Sequence, residues 1–171
     1  MNNYKIVFMG TPDFGIPSLN ELYKQGYEVE AVYTQPDRVN KRGNKVQFSA
    51  VKQFALEHDI TIYQPNSLKD EKELDVLRAL NPDLIIVIAY GKILPQAVLD
   101  IPKYGVINVH ASLLPKYRGA APVQRSIIDG EETTGVTIMQ LDAGMDTGNI
   151  IAEKSVFITP HMTSEDLFDV L

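Results

Sequence analysis

The sequence predicts an α/β fold: a Rossmann-like open, mostly parallel sheet flanked by helices. Three observations carry that expectation. Apolar strand-like runs alternate with helix-period segments over most of the 171 residues. The stretch 83–89 is almost continuously aliphatic, as expected of a central parallel strand covered on both faces. The composition, 44% hydrophobic and 22% charged, is that of a globular chain long enough for one well-packed domain.

Taken in order, Lys5-Ile6-Val7-Phe8-Met9 reads as a buried strand ended by Gly10-Thr11-Pro12-Asp13. Ile16, Leu19, Leu22 and Tyr23 then recur at helical spacing, with Pro17 in a first turn and Gly26 as a stop. A second strand covers 28–34. Residues 35–47 are polar, basic and glycine-containing, the marks of a long surface loop. Ser49 is placed to cap a helix carrying Val51, Phe54, Ala55 and Leu56. Ile60-Thr61-Ile62-Tyr63 forms a short third strand, and 71–80 a helix with Leu74, Leu77 and Leu80 on one side. In the second half, 105–109 is a strand and 111–119 a loop. A helix follows between Pro122 and Gly130. Residues 135–141 and 149–157 alternate like strands, and 163–171 begins an amphipathic helix that the chain end interrupts, the pattern expected of a piece of a longer protein.

The absence of cysteine excludes disulfides, cysteine-based zinc or iron–sulfur sites and a cysteine nucleophile, and fits a reducing compartment. The longest apolar run, 84–90, is far short of the ~20 residues that span a bilayer. No basic, apolar signal segment opens the chain. These features lead to the expectation of a cytoplasmic protein that does not engage membranes. The net charge of −6 argues against a surface wholly given to nucleic acid.

In an open parallel sheet, ligands bind beyond the carboxyl ends of the strands. The first such turn, Gly10-Thr11-Pro12-Asp13-Phe14-Gly15, matches neither the dinucleotide nor the P-loop fingerprint. The strongest constellation is Asn108-Val109-His110-Ala111-Ser112-Leu113-Leu114-Pro115. Residues 108 and 110 of a strand share a face, so an amide and an imidazole emerge side by side where two donors can polarise a carbonyl. The competing reading is a packed, hydrogen-bonded histidine. A second candidate is the loop Asp142-Ala143-Gly144-Met145-Asp146-Thr147-Gly148, whose carboxylates either do chemistry or cap the turn. The third is the segment 35–52, where Arg38, Lys41, Arg42, Lys45 and Lys52 against Asp37 leave +4, while the remaining residues sum to −10. It is either a solvated face or the contact surface for a polyanion. His58 and His161 lie in unrelated segments, and no metal-ligand spacing occurs, so no metal is expected.

Together, Asn108-x-His110, Ser112-Leu113-Leu114-Pro115 and the Asp146 loop resemble the folate-dependent formyltransferases. Further segments resemble the branch of that family acting on methionyl-tRNA. They are Gly10-Thr11-Pro12-Asp13-Phe14, Thr34-Gln35-Pro36-Asp37-Arg38, Ala89-Tyr90-Gly91-Lys92-Ile93-Leu94-Pro95, Arg118-Gly119-Ala120-Ala121-Pro122-Val123-Gln124-Arg125 and Gly135-Val136-Thr137-Ile138-Met139. The resemblance covers essentially the whole chain. It implies a catalytic formyltransferase domain over 1–171, with Asn108, His110 and Asp146 as the catalytic trio. It also implies folate contacts by Ser112, Leu113, Leu114 and Pro115, by Lys92, Ile93 and Leu94, and by Asp142, Ala143, Gly144 and Met145. Arg42, with Lys41, Lys45 and Arg38 around it, corresponds to the family's tRNA-contacting loop, and Phe14 to a position near the methionyl group. The implied reaction moves a formyl group from 10-formyltetrahydrofolate to the α-amine of initiator methionyl-tRNA, without a metal and in a monomer. The family's second, barrel-like domain has no counterpart in the sequence, an expected handicap in gripping tRNA. An amino-sugar-nucleotide or other small-amine formyltransferase, and a non-catalytic folate-binding module, are the alternatives.

Overall fold

A computed structural model describes residues 4–39 and 46–171. The chain divides into two compact units, Met1–Val106 and Ile107–Leu171.

The first unit runs β1 (Lys5–Gly10), α1 (Ile16–Lys24), β2 (Glu28–Tyr33), the two-residue strands β3 (Arg38–Val39) and β4 (Val46–Gln47), α2 (Ala50–Glu57), β5 (Thr61–Tyr63), α3 (Glu71–Ala79), β6 (Leu84–Ile88) and α4 (Gln96–Leu99). β1 lies between β2 and β6, parallel to both, and β5 pairs in parallel with β2. Central position explains composition: β1 and β6 are buried along nearly their whole length, so neither strand alternates. Each such side chain taken from water contributes roughly 1.5–3 kcal/mol. The start of the β1–β6 pair is pinned by the Lys5 amide donating to Asp83 Oδ2 at 2.9 Å and the Asp83 amide donating to the Lys5 carbonyl at 2.8 Å. At its end, a Cβ on Gly10 would stand 2.9 Å from the Ile88 carbonyl oxygen and 2.7 Å from the Phe8 ring. Gly10 therefore serves close strand packing.

Ser49 caps α2 as expected, its Oγ accepting from the Lys52 amide at 3.1 Å. The helix buries Val51, Phe54 and Ala55 and turns Leu56 outward, since one residue further on is a 100° rotation off the buried stripe. Residues 35–47, expected as a long surface loop, include an antiparallel pair, Arg38 opposite Gln47 and Val39 opposite Val46. The four-residue α4 has no sequence expectation behind it, being too short to show a helical period.

The second unit contains most of β7 (Val106–His110), then α5 (Pro122–Ile128), β8 (Thr133–Gln140), β9 (Ile150–Phe157) and α6 (Ser164–Val170). Here the strands are antiparallel: Asn108 faces Met139 and His110 faces Thr137 across β7–β8, and β8 pairs with β9. The connection 141–149 is a hairpin loop, too short for the crossover that a parallel pair needs. The mostly parallel, helix-flanked fold thus keeps its parallel strands in the first unit. The alternation in 149–157 does not mark a buried face, for β9 is exposed at nearly every position. A Cβ on Gly135 would strike the Lys154 carbonyl and come within 2.7 Å of Leu113 Cδ2, so glycine lets β8 and β9 close while Leu113 packs over them. Thr163 and Asp166 form a capping box at the start of α6.

Tyr33 and Tyr90, in the first unit, are wholly buried, and their hydroxyls have no hydrogen-bond partner among the described residues. Burial raises both phenol pKa values, that of Tyr90 to about 12. The unfolded chain releases these protons near pH 10 while the fold retains them. The associated stability is therefore complete below pH 10 and lost as pH rises through about 12. Tyr90→Phe should leave stability at pH 7 within about 1 kcal/mol of the parent, or raise it, because an unpaired buried hydroxyl contributes no net hydrogen bond. It should also lessen the alkaline decline. Denaturant midpoints at neutral and alkaline pH check both, and a midpoint that drops sharply at pH 7 would show that the hydroxyl is bonded.

Candidate active site

The site is built where β7 ends. Side chains at 108 and 110 share a face of the strand, and the chain must then turn back through a loop before α5 begins. That loop is held by hydroxyls. Thr137 Oγ1, wholly buried, donates to the Ser112 carbonyl at 2.7 Å and accepts from the Leu114 amide at 3.1 Å. Ser112 Oγ donates to the Lys116 carbonyl at 2.6 Å. The Leu114–Pro115 bond is cis. Beyond it the backbone is left-handed at Tyr117 (φ 58°), Gly119 (φ 83°) and Ala121 (φ 58°). Such a conformation costs a non-glycine residue roughly 1–2 kcal/mol, so other contacts must fix it. One is the Tyr117 hydroxyl, which donates to Glu131 Oε1 at 2.9 Å, beside Lys116 Nζ at 2.7 Å from the same oxygen.

His110 is buried, and each of its ring nitrogens faces an oxygen. Nε2 lies 2.8 Å from the Tyr117 carbonyl, and Nδ1 lies 3.6 Å from Asp146 Oδ2, an ion-pair separation longer than an ordinary hydrogen bond. The Gly119 amide donates to that same Asp146 oxygen at 2.7 Å. Asp146 is itself left-handed, φ 51°. The two carboxylates of the 141–149 loop divide their labour: Asp142 Oδ1 accepts from the Gly144 amide at 2.9 Å and from Thr147 Oγ1 at 2.8 Å, which makes it the turn cap. Asp146 is the carboxylate that meets the histidine. Asn108 is half-buried, and its amide makes no hydrogen bond with the described residues of its own unit. An uncommitted donor and a carboxylate-backed imidazole thus stand on one strand.

Of the neighbouring candidates, Ser112 and Leu114 are buried, while Leu113 is half-buried and Pro115 exposed. Asp142, Ala143, Gly144 and Met145 are exposed.

In the first unit, Ile93 is 89% exposed and Leu94 half-buried. Lys92 Nζ donates to the carbonyls of Pro65 and Asn66, and partial burial lowers its pKa. The approach to this segment is fixed at the Tyr90 carbonyl, which accepts from Thr11 Oγ1 at 3.0 Å and Gln35 Nε2 at 3.1 Å. Phe14 sits in the single 3₁₀ turn Asp13–Gly15, and Arg38 is exposed on β3. Lys52 pairs with Asp37, whose pKa is lowered by that bond and by one from Gln64. The +4 of the segment therefore falls to Arg38, Lys41, Arg42 and Lys45, the last three of which lie outside the described residues. His58 Nδ1 sits 2.8 Å from the Phe54 carbonyl and its ring stacks on Phe54, a structural role. Among the described residues no three His, Cys, Asp or Glu side chains gather to hold a metal ion.

Sequence reasoning did not single out Tyr117, Glu131 or Gln64. The bonds of Tyr117 to Glu131 and of Gln64 to Gln35 join residues 14 and 29 apart and follow no local rule.

A donor amide and a carboxylate-backed imidazole at a strand's end have the chemistry to polarise a carbonyl and move a proton. Residues 4–171 match the formyl transferase family model, and the chain belongs to that family. It is 57% identical over 168 residues to a methionyl-tRNA formyltransferase of Clostridium perfringens strain 13, covering 98% of this chain and 54% of that protein. It is 50% identical over 171 residues to that of Legionella pneumophila strain Paris, covering 100% and 54%. The chain thus spans about half the length of the curated relatives it matches. Among solved structures, phosphoribosylglycinamide formyltransferase from Bacillus halodurans superposes with a TM-score of 0.78 at 25% identity, covering 97% of this chain and 86% of that one. A formyltetrahydrofolate deformylase from Pseudomonas syringae pv. tomato shares the fold, with a TM-score of 0.79 at 20% identity, covering 99% and 56%. No helix among the described residues is long and apolar enough to cross a membrane.

The division between the carboxylates is testable without substrate. Asp142→Ala should cost about 1 kcal/mol of stability by freeing the turn while leaving the ring nitrogen resonances of His110 in place. Asp146→Ala should move those resonances. The reverse pattern in denaturation and nitrogen-15 spectra would exchange the two roles.

Proposed function

We propose that this chain is the catalytic domain of an enzyme that transfers the formyl group of 10-formyltetrahydrofolate to the α-amine of initiator methionyl-tRNA. The single observation that carries the reading is the Asp146–His110 pair beside the uncommitted Asn108 amide. It is supported by identities of 50–57% to relatives named for that activity. When the amine attacks the formyl carbon, negative charge gathers on the formyl oxygen; as the bond from that carbon to N10 of the folate then breaks, N10 takes up the proton that the amine gives up, and tetrahydrofolate leaves. Asn108 supplies a donor for the formyl oxygen. His110 joins it by exchanging one of its present partners, the Tyr117 carbonyl or Asp146, for that oxygen, and Asp146 orients the imidazole and relays the proton released by the amine. Leu113 and Pro115, the backbone of Lys92, Ile93 and Leu94, and the loop from Asp142 to Met145 serve the folate. Ser112 and Leu114, being buried, act through the loop's shape. Phe14 lies near the methionyl group, and Arg38, Lys41, Arg42 and Lys45 meet the tRNA backbone. All three members of the trio come from one chain, so a monomer suffices, and the tRNA it would serve puts it in the cytoplasm.

Formylation of methionyl-tRNA, measured against small-amine and sugar-nucleotide acceptors with the same folate donor, tests the assignment. Preference for a small amine would overturn the tRNA half and keep the formyl half. Asn108→Ala, His110→Ala and Asp146→Asn should each lower kcat by ~10²–10³. The double and triple variants should lose less than the product of the single losses, because the groups act together. A variant with near-parental turnover removes its residue from the mechanism.

Arg42→Ala should weaken tRNA binding and flatten its salt dependence, with folate-analogue affinity unchanged. Arg42→Lys should remain impaired if the contact is a bidentate fork on phosphate. Titrations at several salt concentrations check this, and an unaltered slope would return the loop to a solvated face.

A further inference from the structure

We propose that Glu131, acting through Tyr117, is a positioning residue for the His110–Asp146 pair; the inference rests on the reading of that pair as the reactive centre. The geometry is a short relay within the second unit. Glu131 sits just after α5, its own amide donating to the Ser126 carbonyl at 3.0 Å, and its carboxyl is three-quarters buried. One of its oxygens takes both the Tyr117 hydroxyl at 2.9 Å and Lys116 Nζ at 2.7 Å. Tyr117 is therefore held at two points: its side chain on Glu131, and its carbonyl on His110 Nε2 at 2.8 Å. Two residues on, the Gly119 amide holds Asp146 Oδ2. The segment 117–119 thus carries the partner of the histidine and the partner of the aspartate on one stretch of backbone. A shift of that stretch moves both.

Two further features fit this role. Tyr117 is left-handed without being glycine, a conformation that persists only where contacts over-determine it, and the hydroxyl bond to Glu131 is one of those contacts. The charge arrangement also keeps the anchor intact. Lys116 and Tyr117 hold the Glu131 carboxyl below its usual pKa, while part-burial and the Glu131 and Asp129 carboxylates push the Tyr117 phenol up, so an ionised acceptor meets a neutral donor. Glu131 has no contact with Asn108, His110 or Asp146 among these bonds and acts only through the loop.

The test compares Tyr117→Phe, Glu131→Ala and Glu131→Gln in a protein carrying this domain. Tyr117→Phe removes the hydroxyl and keeps the ring. Glu131→Gln keeps an acceptor for it. Ring nitrogen-15 spectra of His110 report its bond to the Tyr117 carbonyl, and steady-state kinetics separate kcat from the folate KM. Tyr117→Phe and Glu131→Ala should move the His110 ring resonances and lower kcat roughly ten- to a hundredfold, as for a small misplacement of a reacting group. KM for folate should stay within about twofold, the loss being confined to geometry needed in the transition state. Glu131→Gln should restore both readouts. Unmoved His110 resonances in Tyr117→Phe and Glu131→Ala would overturn the proposal, including when the melting temperature falls, since that marks a merely structural anchor. Absence of formyl transfer in the parent protein would count against the functional reading alone, because the spectra still decide the positioning role.

Discussion

A buried imidazole must find polar partners for its ring nitrogens, and the segment from Ala111 to Ala121 is folded around that need. His110 lies buried at the last position of β7, with the Tyr117 carbonyl on one nitrogen and Asp146 on the other. To bring a carbonyl seven residues ahead back onto the ring, the chain reverses within a few residues. Its polar groups then need local partners. Thr137 supplies them from the neighbouring strand, and Ser112 from within the loop. The left-handed residues and the glycine at 119 are the backbone cost of that reversal.

The parallel unit was largely legible in the sequence because burial on both faces leaves an uninterrupted apolar signal, as in β1 and β6. The cap at Ser49 was equally readable, since capping depends on residues three apart. Strand direction in the second unit was not. Alternation in 135–141 and 149–157 is blind to whether strands run together or opposed, and β9, exposed along its length, alternates without a buried face. The pairing of His110 with Asp146 is a contact across 36 residues, and no local rule could distinguish Asp146 from Asp142. That distinction comes from the Gly119 amide and the Thr147 hydroxyl, each of which takes one carboxylate.

The first unit shows how formal charge misleads when read residue by residue. Lys52 lies beside Asp37 and Gln64, and Gln64 in turn bonds the Gln35 carbonyl, so this cation belongs to the frame around the chain's exit from β2. The same Gln35 reaches the Tyr90 carbonyl at the end of β6. The carboxyl ends of β2 and β6 are thereby tied by side-chain amides, and the segment after Tyr90 leaves the sheet from a fixed point.

The hairpin of β8 and β9 also orders events in time. Its strands are joined by residues 141–149, so the pairing of Gln140 with Asn149 closes a short loop, whereas Lys5 meets Asp83 only after 78 intervening steps of chain. Loop closure of a few residues is fast, and distant pairings wait on entropy. The loop that carries Asp146 therefore belongs to the early-forming, sequence-local part of the molecule. The pairing that frames this carboxylate draws on no strand other than β8 and β9.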